Sequence, residues 1–414
     1  MPPDHHQSDT SNVDRQMALG RLGLYTAPAM EALLSQRAPA RKHPTHRVNR
    51  PPHRPVSGVS GWQAFTALCG YLRSGLLGEP VQEPDEISWE LLIEASSYHN
   101  VTPALAWCLR HKIVPADVRE YLDTVLVLNG KRNEALLTGL ARIVAALNAI
   151  DISPALLKGA ARLVEGSYPA PTLRFLGDLD LLVPAERVGA ALDALESAGF
   201  QTNKDDSLPP THHHLPMLYE AKTGIAVELH ADVMAGVGAA IIPTGWFWQG
   251  TKLALFRDLQ IRLPDPTRSA GHTIAHDQVA HWGYHHSRVD LRSLLDLAII
   301  RRASERAIDW THLDERFCSV GFGRALSTYL KFAETLLGQA SPALRQPAHA
   351  GIPKYFRRVI EPPPTWQQPI TILVDEIGRW RRSPRRALDL MDSSDWSKHF
   401  RRVRQALKLR SRSW

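Results

Sequence analysis

The most constraining feature of this sequence is the segment Gly177-Asp178-Leu179-Asp180-Leu181-Leu182-Val183, in which acidic and apolar residues alternate. A period of two is typical of a β-strand, because successive side chains point to opposite faces of a sheet. The pattern therefore predicts a strand over Leu176–Val183 whose Asp178 and Asp180 share one face while the leucines pack in the core. Two neighbouring carboxylates on a buried strand repel each other and lose hydration, so they call for a positive counter-ion. A divalent metal is a natural candidate, and Mg²⁺ prefers oxygen ligands together with phosphate.

A second alternating segment, Ile225-Ala226-Val227-Glu228-Leu229-His230, predicts another strand. Glu228 and His230 would share one face of it, and the apolar residues would face the core. A third carboxylate on a neighbouring strand would complete a set able to hold two metal ions, an arrangement used for phosphoryl transfer. For His230, a hydrogen-bonded position in the core is the alternative to a role in such a site.

Two basic residues upstream are candidates for contact with phosphate. A predicted strand over residues 153–157 ends at Lys158-Gly159, before a predicted helix over residues 160–165. Backbone N–H groups at the start of a helix can bind phosphate, and Lys158 would add charge. Arg174, shortly before the acidic strand, is the second candidate.

Taken together, these motifs resemble the uncharacterised nucleotidyltransferase family of the DNA polymerase β superfamily, whose relatives include AbiEii-type nucleotidyltransferases. The motifs are Lys158-Gly159 after a strand, Arg174 ahead of Gly-Asp-Leu-Asp-Leu, and Val-Glu-Leu-His about 50 residues later. The resemblance covers about residues 60–340, including Leu-Leu-Asp-Leu-Ala at 294–298. It implies an α+β fold, with a polymerase-β-like mixed sheet flanked by helices and with helical N- and C-terminal regions.

The same resemblance implies an activity and a site. The activity is transfer of a nucleoside monophosphate from an NTP to an acceptor hydroxyl or phosphate, with release of pyrophosphate. The implied catalytic and metal-binding residues are Asp178, Asp180 and Glu228, with Mg²⁺ as the metal and Mn²⁺ as the alternative. The residues expected to contact the nucleotide are Lys158, Gly159, Arg174 and His230. The superfamily often has Gly-Ser where this chain has Lys158-Gly159.

Charge and composition divide the chain into predicted regions. The net charge of +7 is distributed as +4 over residues 1–56, −6 over 57–352 and +9 over 353–414. The predicted regions are a disordered basic tail rich in Pro and His (1–57), a helical lead-in (58–150), the nucleotidyltransferase core (151–265), a helical C-terminal domain (266–350) and a basic Arg/Trp-rich tail (351–414). Interleaved Arg and Trp suit the last region to nucleic acid or to an anionic membrane surface, with a solvated tail as the alternative.

Three further sequence features bear on the cellular compartment of the protein and on the class of protein to which it belongs. Cys69, Cys108 and Cys318 are an odd number without CxxC spacing, which disfavours a disulfide framework and a cysteine zinc cage. The N-terminal residues lack an apolar run behind a basic start, so no signal peptide is predicted and a cytoplasmic location is expected. The uncharged stretch 233–251 is interrupted by Gly and Pro, which predicts a loop-rich core segment rather than a membrane span.

A histidine-rich segment offers a different chemistry. Its histidines are His272, His276, His281, His285 and His286. Two of the spacings are i, i+4, which on a helix can bind zinc, but no Glu follows the first His of either pair as in HExxH. A zinc hydrolase is therefore one alternative, and a position of His281 or His285 along the nucleotide or acceptor cleft is another.

The sequence leaves the function open in two further respects. A non-catalytic module that binds a nucleotide, RNA or a partner protein on the same fold is an alternative to the enzyme. Within the enzyme hypothesis, the acceptor can be a small molecule such as an antibiotic or sugar, an RNA such as a tRNA end, or a protein.

Overall fold

In the computed structural model of the chain, residues 59–81, 86–202, 213–220 and 223–349 are described. The predicted tails over 1–57 and 351–414 lie outside these residues. Within them a mixed sheet of seven strands is combined with thirteen α-helices, which confirms the predicted α+β class with a sheet flanked by helices. No helix in the described ranges combines the length and the apolar character that crossing a bilayer requires.

Four helices precede the sheet. They are α1 (Val59–Leu72), which continues as a π-helical turn (Arg73–Leu77), α2 (Trp89–Tyr98), α3 (Thr102–Leu109) and α4 (Ala116–Asn148). The buried residues of α4 include Leu136, Leu140, Ile143 and Leu147, whose spacing of three to four places them on one face. This face packs against the sheet, so α4 supports the strands that carry the acidic residues.

The sheet has the strand order β3-β4-β5-β2-β1-β7-β6. The strands are β1 (Ala155–Leu156), β2 (Leu179–Leu182), β3 (Phe200–Thr202), β4 (Leu218–Glu220), β5 (Ala226–His230), β6 (Thr251–Phe256) and β7 (Leu259–Pro264). The pairs β2–β5 and β1–β7 are parallel, and the other neighbours are antiparallel. The two strands with acidic residues are therefore direct neighbours at the centre of the sheet.

The remaining helices follow or connect these strands. They are α5 (Lys158–Val164), α6 (Val188–Ser197), α7 (Val237–Ile241), α8 (Thr244–Gln249), α9 (Pro266–Ala275), α10 (Gly283–His286), α11 (Leu291–Ser304), α12 (Trp310–Ser319) and α13 (Gly323–Leu337). Short 3-10 turns lie at Ala185–Arg187 and Glu305–Ala307, and α9 continues into a π-helical turn at His276–Ala280.

Alternation along β2 and β5 separates two hydrophobic clusters. Leu179 and Leu181 pack with Val227 and Leu229 in the cluster that includes α4 and α6. Leu182 belongs instead to the larger cluster, which joins the N-terminal helices to α9, α11, α12 and α13. Residues two apart share a face, so the acidic residues of β2 and β5 face the side of the larger cluster.

Two parts of the fold differ from the sequence-based expectation. The stretch 233–251 contains the short helices α7 and α8 rather than only loops. The hairpin β6–β7 was not predicted. Its turn is Arg257-Asp258, with φ values of 50° and 64°. Such turns usually carry Asn or Gly, because positive φ is costly for other residues, so this sequence lacks the usual hairpin signal.

Candidate active site

The register of β2 and β5 brings together two of the predicted carboxylates. Asp180 lies opposite Glu228, and Leu182 lies opposite His230. Side chains two apart project from the same face, so Asp180, Glu228 and His230 meet on one side of the sheet. One potential ligand atom from each of the three lies within 4.8 Å of the others. Asp180 and His230 are buried, and the Glu228 side chain is 16% exposed. The group therefore has one partly open side, at Glu228.

Lys158 reaches the same carboxylates from the neighbouring strand. The antiparallel pairing of β1 with β2 continues to Leu157, whose N–H donates to the Asp180 carbonyl at 3.0 Å. Lys158 Nζ then donates to Asp180 Oδ1 at 2.5 Å and lies 3.8 Å from Glu228 Oε2. The residue has a φ of 45°, which an L-residue rarely adopts, and it begins α5 instead of preceding it. The strained backbone places the ammonium beside the carboxylates.

The charges in this group act on one another. Burial would lower the pKa of the Lys158 ammonium, but the charges of Asp180 and Glu228 outweigh it and the pKa is raised. Burial also opposes ionisation of Asp180, yet Lys158 and His230 hold the pKa of its carboxyl well below the usual value. Asp180 is therefore ionised at neutral pH, and Lys158 is its charged partner.

His230 is bound to both acids. Its Nε2 lies 3.1 Å from Asp180 Oδ1 and 3.5 Å from Glu228 Oε2. Burial would lower the pKa of His230, but the hydrogen bonds to the two carboxylates outweigh that effect and raise it. Its buried Nδ1 has no hydrogen-bond partner among the described residues. His230 is thus part of the acidic group and not a separate core residue.

Two further histidines from the preceding loop surround His230. The rings of His213 and His214 lie 5.3 Å and 5.1 Å from its ring, centroid to centroid. His214 pairs with His230 through an isolated antiparallel bridge, and its Nε2 lies 3.9 Å from Glu228 Oε2. No local sequence pattern predicts the position of His214, because it lies in a loop whose pairing depends on the rest of the fold.

Asp178 occupies a different position from the one predicted. It lies in a bend just before β2 and not on the strand, and it is outside the group of three with ligand atoms within 4.8 Å. Burial and the charges of Asp180 and Glu228 raise the pKa of Asp178 to about 6, against the opposing charges of Lys158 and Arg292. Asp178 is therefore close enough for its carboxyl to interact with the charges of the site. Its role as a metal ligand stays a prediction.

Arg174 is bound within the protein. Its Nε lies 2.8 Å from Asp296 Oδ1, and its Nη2 lies 2.7 Å from Asp296 Oδ2. Tyr168 also donates to Asp296 Oδ1, at 2.7 Å, and all three residues are buried. The pair joins α11 to the segment that leads into β2. Contact of Arg174 with phosphate stays a prediction.

Gly159 allows α5 to approach this segment closely. A Cβ at Gly159 would lie 3.3 Å from Arg174 Nη2 and 3.2 Å from two carbons of the Leu176 side chain. A larger residue would therefore push α5 away from the start of β2. Whether Gly159 also contacts a nucleotide stays a prediction.

The histidine-rich segment packs beside the acidic group. Burial lowers the pKa of His272 to about 3 and that of His281 to about 4, and in both the charge of Lys158 acts in the same direction. The rings of His276 and His281 are 4.1 Å apart, centroid to centroid, whereas His285 is buried against Trp282 and Phe322. Burial also holds the pKa of His276 well below its ordinary value, so His272, His276 and His281 are neutral at physiological pH.

The structure does not support a zinc site in this segment. Within the described ranges, the group of three or more potential ligands that lie close enough to share an ion is Asp180, Glu228 and His230. No set that includes the described side chains of His272, His276, His281 or His285 meets the same criterion. The zinc hydrolase alternative therefore has no ligand set here, and the donors on β2 and β5 are the candidate metal ligands.

The donors on β2 and β5 fit a divalent ion. Two carboxylates supply negative charge and hard oxygen ligands, which Mg²⁺ and Mn²⁺ prefer. An imidazole nitrogen suits Mn²⁺ and later transition metals better than Mg²⁺. The Nε2 atom of His230 faces the two acids and is the candidate ligand atom, whereas its buried Nδ1 has no hydrogen-bond partner among the described residues.

A family model described as "Uncharacterised nucleotidyltransferase" matches residues 85–338 of the chain, a span that includes β1–β7 and every residue of the candidate site. No curated protein and no solved structure matches the chain.

Proposed function

Because the chain belongs to the uncharacterised nucleotidyltransferase family, we propose that it transfers a nucleoside monophosphate from an NTP to an acceptor hydroxyl or phosphate and releases pyrophosphate. The observation that carries this proposal is the convergence of Asp180, Glu228 and His230 from two parallel strands, with Lys158 beside them. Such a group, one side of which is partly open, could hold a divalent ion, and that ion would neutralise negative charge on a triphosphate.

We propose Asp180, Glu228 and His230 as ligands of a divalent ion, Mg²⁺ or Mn²⁺, with Asp178 as an additional carboxylate close by. A bound ion would neutralise phosphate charge and favour the deprotonated form of the attacking acceptor hydroxyl. The protein contributes the rigid spacing: the acids are held on neighbouring strands whose other faces are packed in the core.

The remaining roles follow from exposure and charge. Glu228 is the most exposed of the three ligands, so it is the best candidate to accept the proton of the acceptor hydroxyl. Lys158 would pair with the triphosphate. Arg292 is a further candidate for phosphate contact, because its Nη2 is only loosely paired with Asp290, at 3.4 Å, and its Nε has no hydrogen-bond partner among the described residues. We favour Arg292 over Arg174, which is held by Asp296.

One experiment tests the activity directly. The full chain is incubated with each of the four α-labelled NTPs and with separate RNA, protein and metabolite fractions, in the presence of Mg²⁺ or Mn²⁺, and label transfer is measured. We expect transfer to one fraction with the wild type and none with Asp180→Asn, at unchanged far-UV circular dichroism. Asp193→Asn, at an exposed position on α6, is the matched control and should retain full transfer. Unchanged transfer by Asp180→Asn would show that the assignment is wrong.

The same labelled NTPs, with their retention by the chain measured beside label transfer, distinguish the alternative of a non-catalytic module that binds a nucleotide or RNA. The observation that favours this alternative is the ion pair of Lys158 with Asp180, since it engages a carboxylate that the enzyme requires for a metal. Binding of nucleotide without label transfer to any fraction would support the binding module.

A further inference from the structure

The atoms proposed as metal ligands already surround a positive charge. Asp180 Oδ1 accepts from Lys158 Nζ at 2.5 Å and lies 3.1 Å from His230 Nε2. Glu228 Oε2 lies 3.8 Å from the same ammonium and 3.5 Å from the same imidazole nitrogen. The ammonium therefore contacts the donor set that a divalent ion would use.

A divalent ion and the ammonium compete for these atoms. The carboxylates are largely removed from water, where unneutralised charge is costly, so in the metal-free protein they are stabilised by Lys158. A second cation entering the group would repel the ammonium at close range. The two cations cannot both make their best contacts with Asp180 Oδ1.

The side chain of Lys158 can leave without a change of the fold. Its backbone is fixed by β1 and by the start of α5, but the ammonium stands on a flexible four-carbon stem. The side chain is 22% exposed, so a route to solvent is already open.

We propose that Lys158 is a tethered counter-ion that occupies the carboxylate group in the metal-free protein, and that a divalent ion binds by displacing its ammonium from Asp180. This inference rests on the proposed function, since it presupposes the metal site. Once displaced, the ammonium is free to pair with a phosphate group. Metal and triphosphate then favour each other's binding, because each relieves the protein of the same ion pair.

The test measures binding of Mn²⁺ alone to the full chain, from the loss of the electron paramagnetic resonance signal of free Mn²⁺. Lys158→Met removes the competing charge, and we expect it to bind Mn²⁺ at least about tenfold more tightly than the wild type, since a charge-assisted hydrogen bond need no longer be broken. Lys158→Gln removes the charge but keeps a hydrogen-bond donor, so it should also tighten binding and serves if Lys158→Met folds poorly. Lys252→Met, at an exposed position on β6, is the matched control and should bind like the wild type.

The outcomes separate this inference from the proposed function. Equal Mn²⁺ affinity in the wild type and in both Lys158 variants, with binding lost in Asp180→Asn, would overturn the counter-ion role and leave the metal site standing. Absence of saturable Mn²⁺ binding in the wild type and in all variants would overturn the metal site itself, and the counter-ion role with it.

Discussion

Breaking the ion pair between Arg174 and Asp296 by removing one partner should be among the most destabilising single changes in the part of the fold that supports the site. Both residues are buried, at 7% and 5% exposure, and the guanidinium makes contacts of 2.7, 2.8 and 3.1 Å with the carboxylate. Asp296→Leu leaves the guanidinium buried without its charged partner. Removing one member of such a pair typically costs about 3 to 5 kcal/mol. Arg174→Met should cost about 3 kcal/mol, at the lower end, because Tyr168 still donates to Asp296.

The double variant Arg174→Met with Asp296→Leu is the decisive comparison. It removes both charges and replaces them with apolar groups of similar size, so its free energy of unfolding should lie closer to that of the wild type than the sum of the single changes. We expect a coupling energy of about 2 kcal/mol or more from the cycle. Urea unfolding followed by tryptophan fluorescence and circular dichroism gives the four values. A cost below about 1 kcal/mol for Asp296→Leu, or strict additivity, would refute the reasoning.

Two further predictions concern the site and its support. The pKa of Asp178 is about 6 in the fold against 3.8 for an ordinary Asp, so ionisation of Asp178 costs stability above pH 6, and the cost is absent below about pH 4. Asp178→Asn should therefore stabilise the metal-free protein at pH 7 by up to about 3 kcal/mol. The variant's gain in melting temperature should vanish as the pH is lowered toward 4. A gain that is independent of pH would contradict this reasoning. Gly139→Ala would place a Cβ 2.4 Å from Ile225 Cδ1. Because this terminal methyl can turn aside and Ala favours the helix by about 1 kcal/mol, the free energy of unfolding in urea should fall by at most about 2 kcal/mol. Gly189→Ala, which meets no atom within 4 Å, should not lower it, and equal effects of the two changes would show that the contact is not tight.

The parts of the fold that carry a local pattern could be predicted. Alternation over β2 and β5 gave both strands and the shared face of Asp180, Glu228 and His230, because period-two patterning directly reports which face is buried. The hairpin β6–β7 was missed because its turn uses Arg257-Asp258 at positive φ, without the Asn or Gly that usually marks such a turn.

Only the site residues that lie on β-strands could be predicted from the sequence. Asp178 was placed on β2 by extending the alternation one step too far, whereas the strand begins at Leu179. The partner of Arg174 is 122 positions away, on α11, and nothing in the local sequence of either residue indicates the other. His214 and Arg292 come to the group from a loop and from the start of a helix, so their proximity depends on packing that no periodicity encodes.

The position of the two-residue strand β1 bears on the order in which the site and the sheet form. On one side β1 pairs with β2, and on the other its Ala155 pairs with Arg262 of β7, about 100 positions later. The hairpin β6–β7 joins nearby residues and can close quickly. The pairing of β1 with β7, in contrast, is opposed by the entropy lost in closing a long loop. Lys158 lies two positions beyond this strand. Lys158 and Asp180 are only 22 positions apart and are joined by the local pairing of β1 with β2. We therefore expect the ammonium to reach Asp180 before β7 pairs with β1, so that in refolding experiments this contact forms ahead of the last step of sheet assembly.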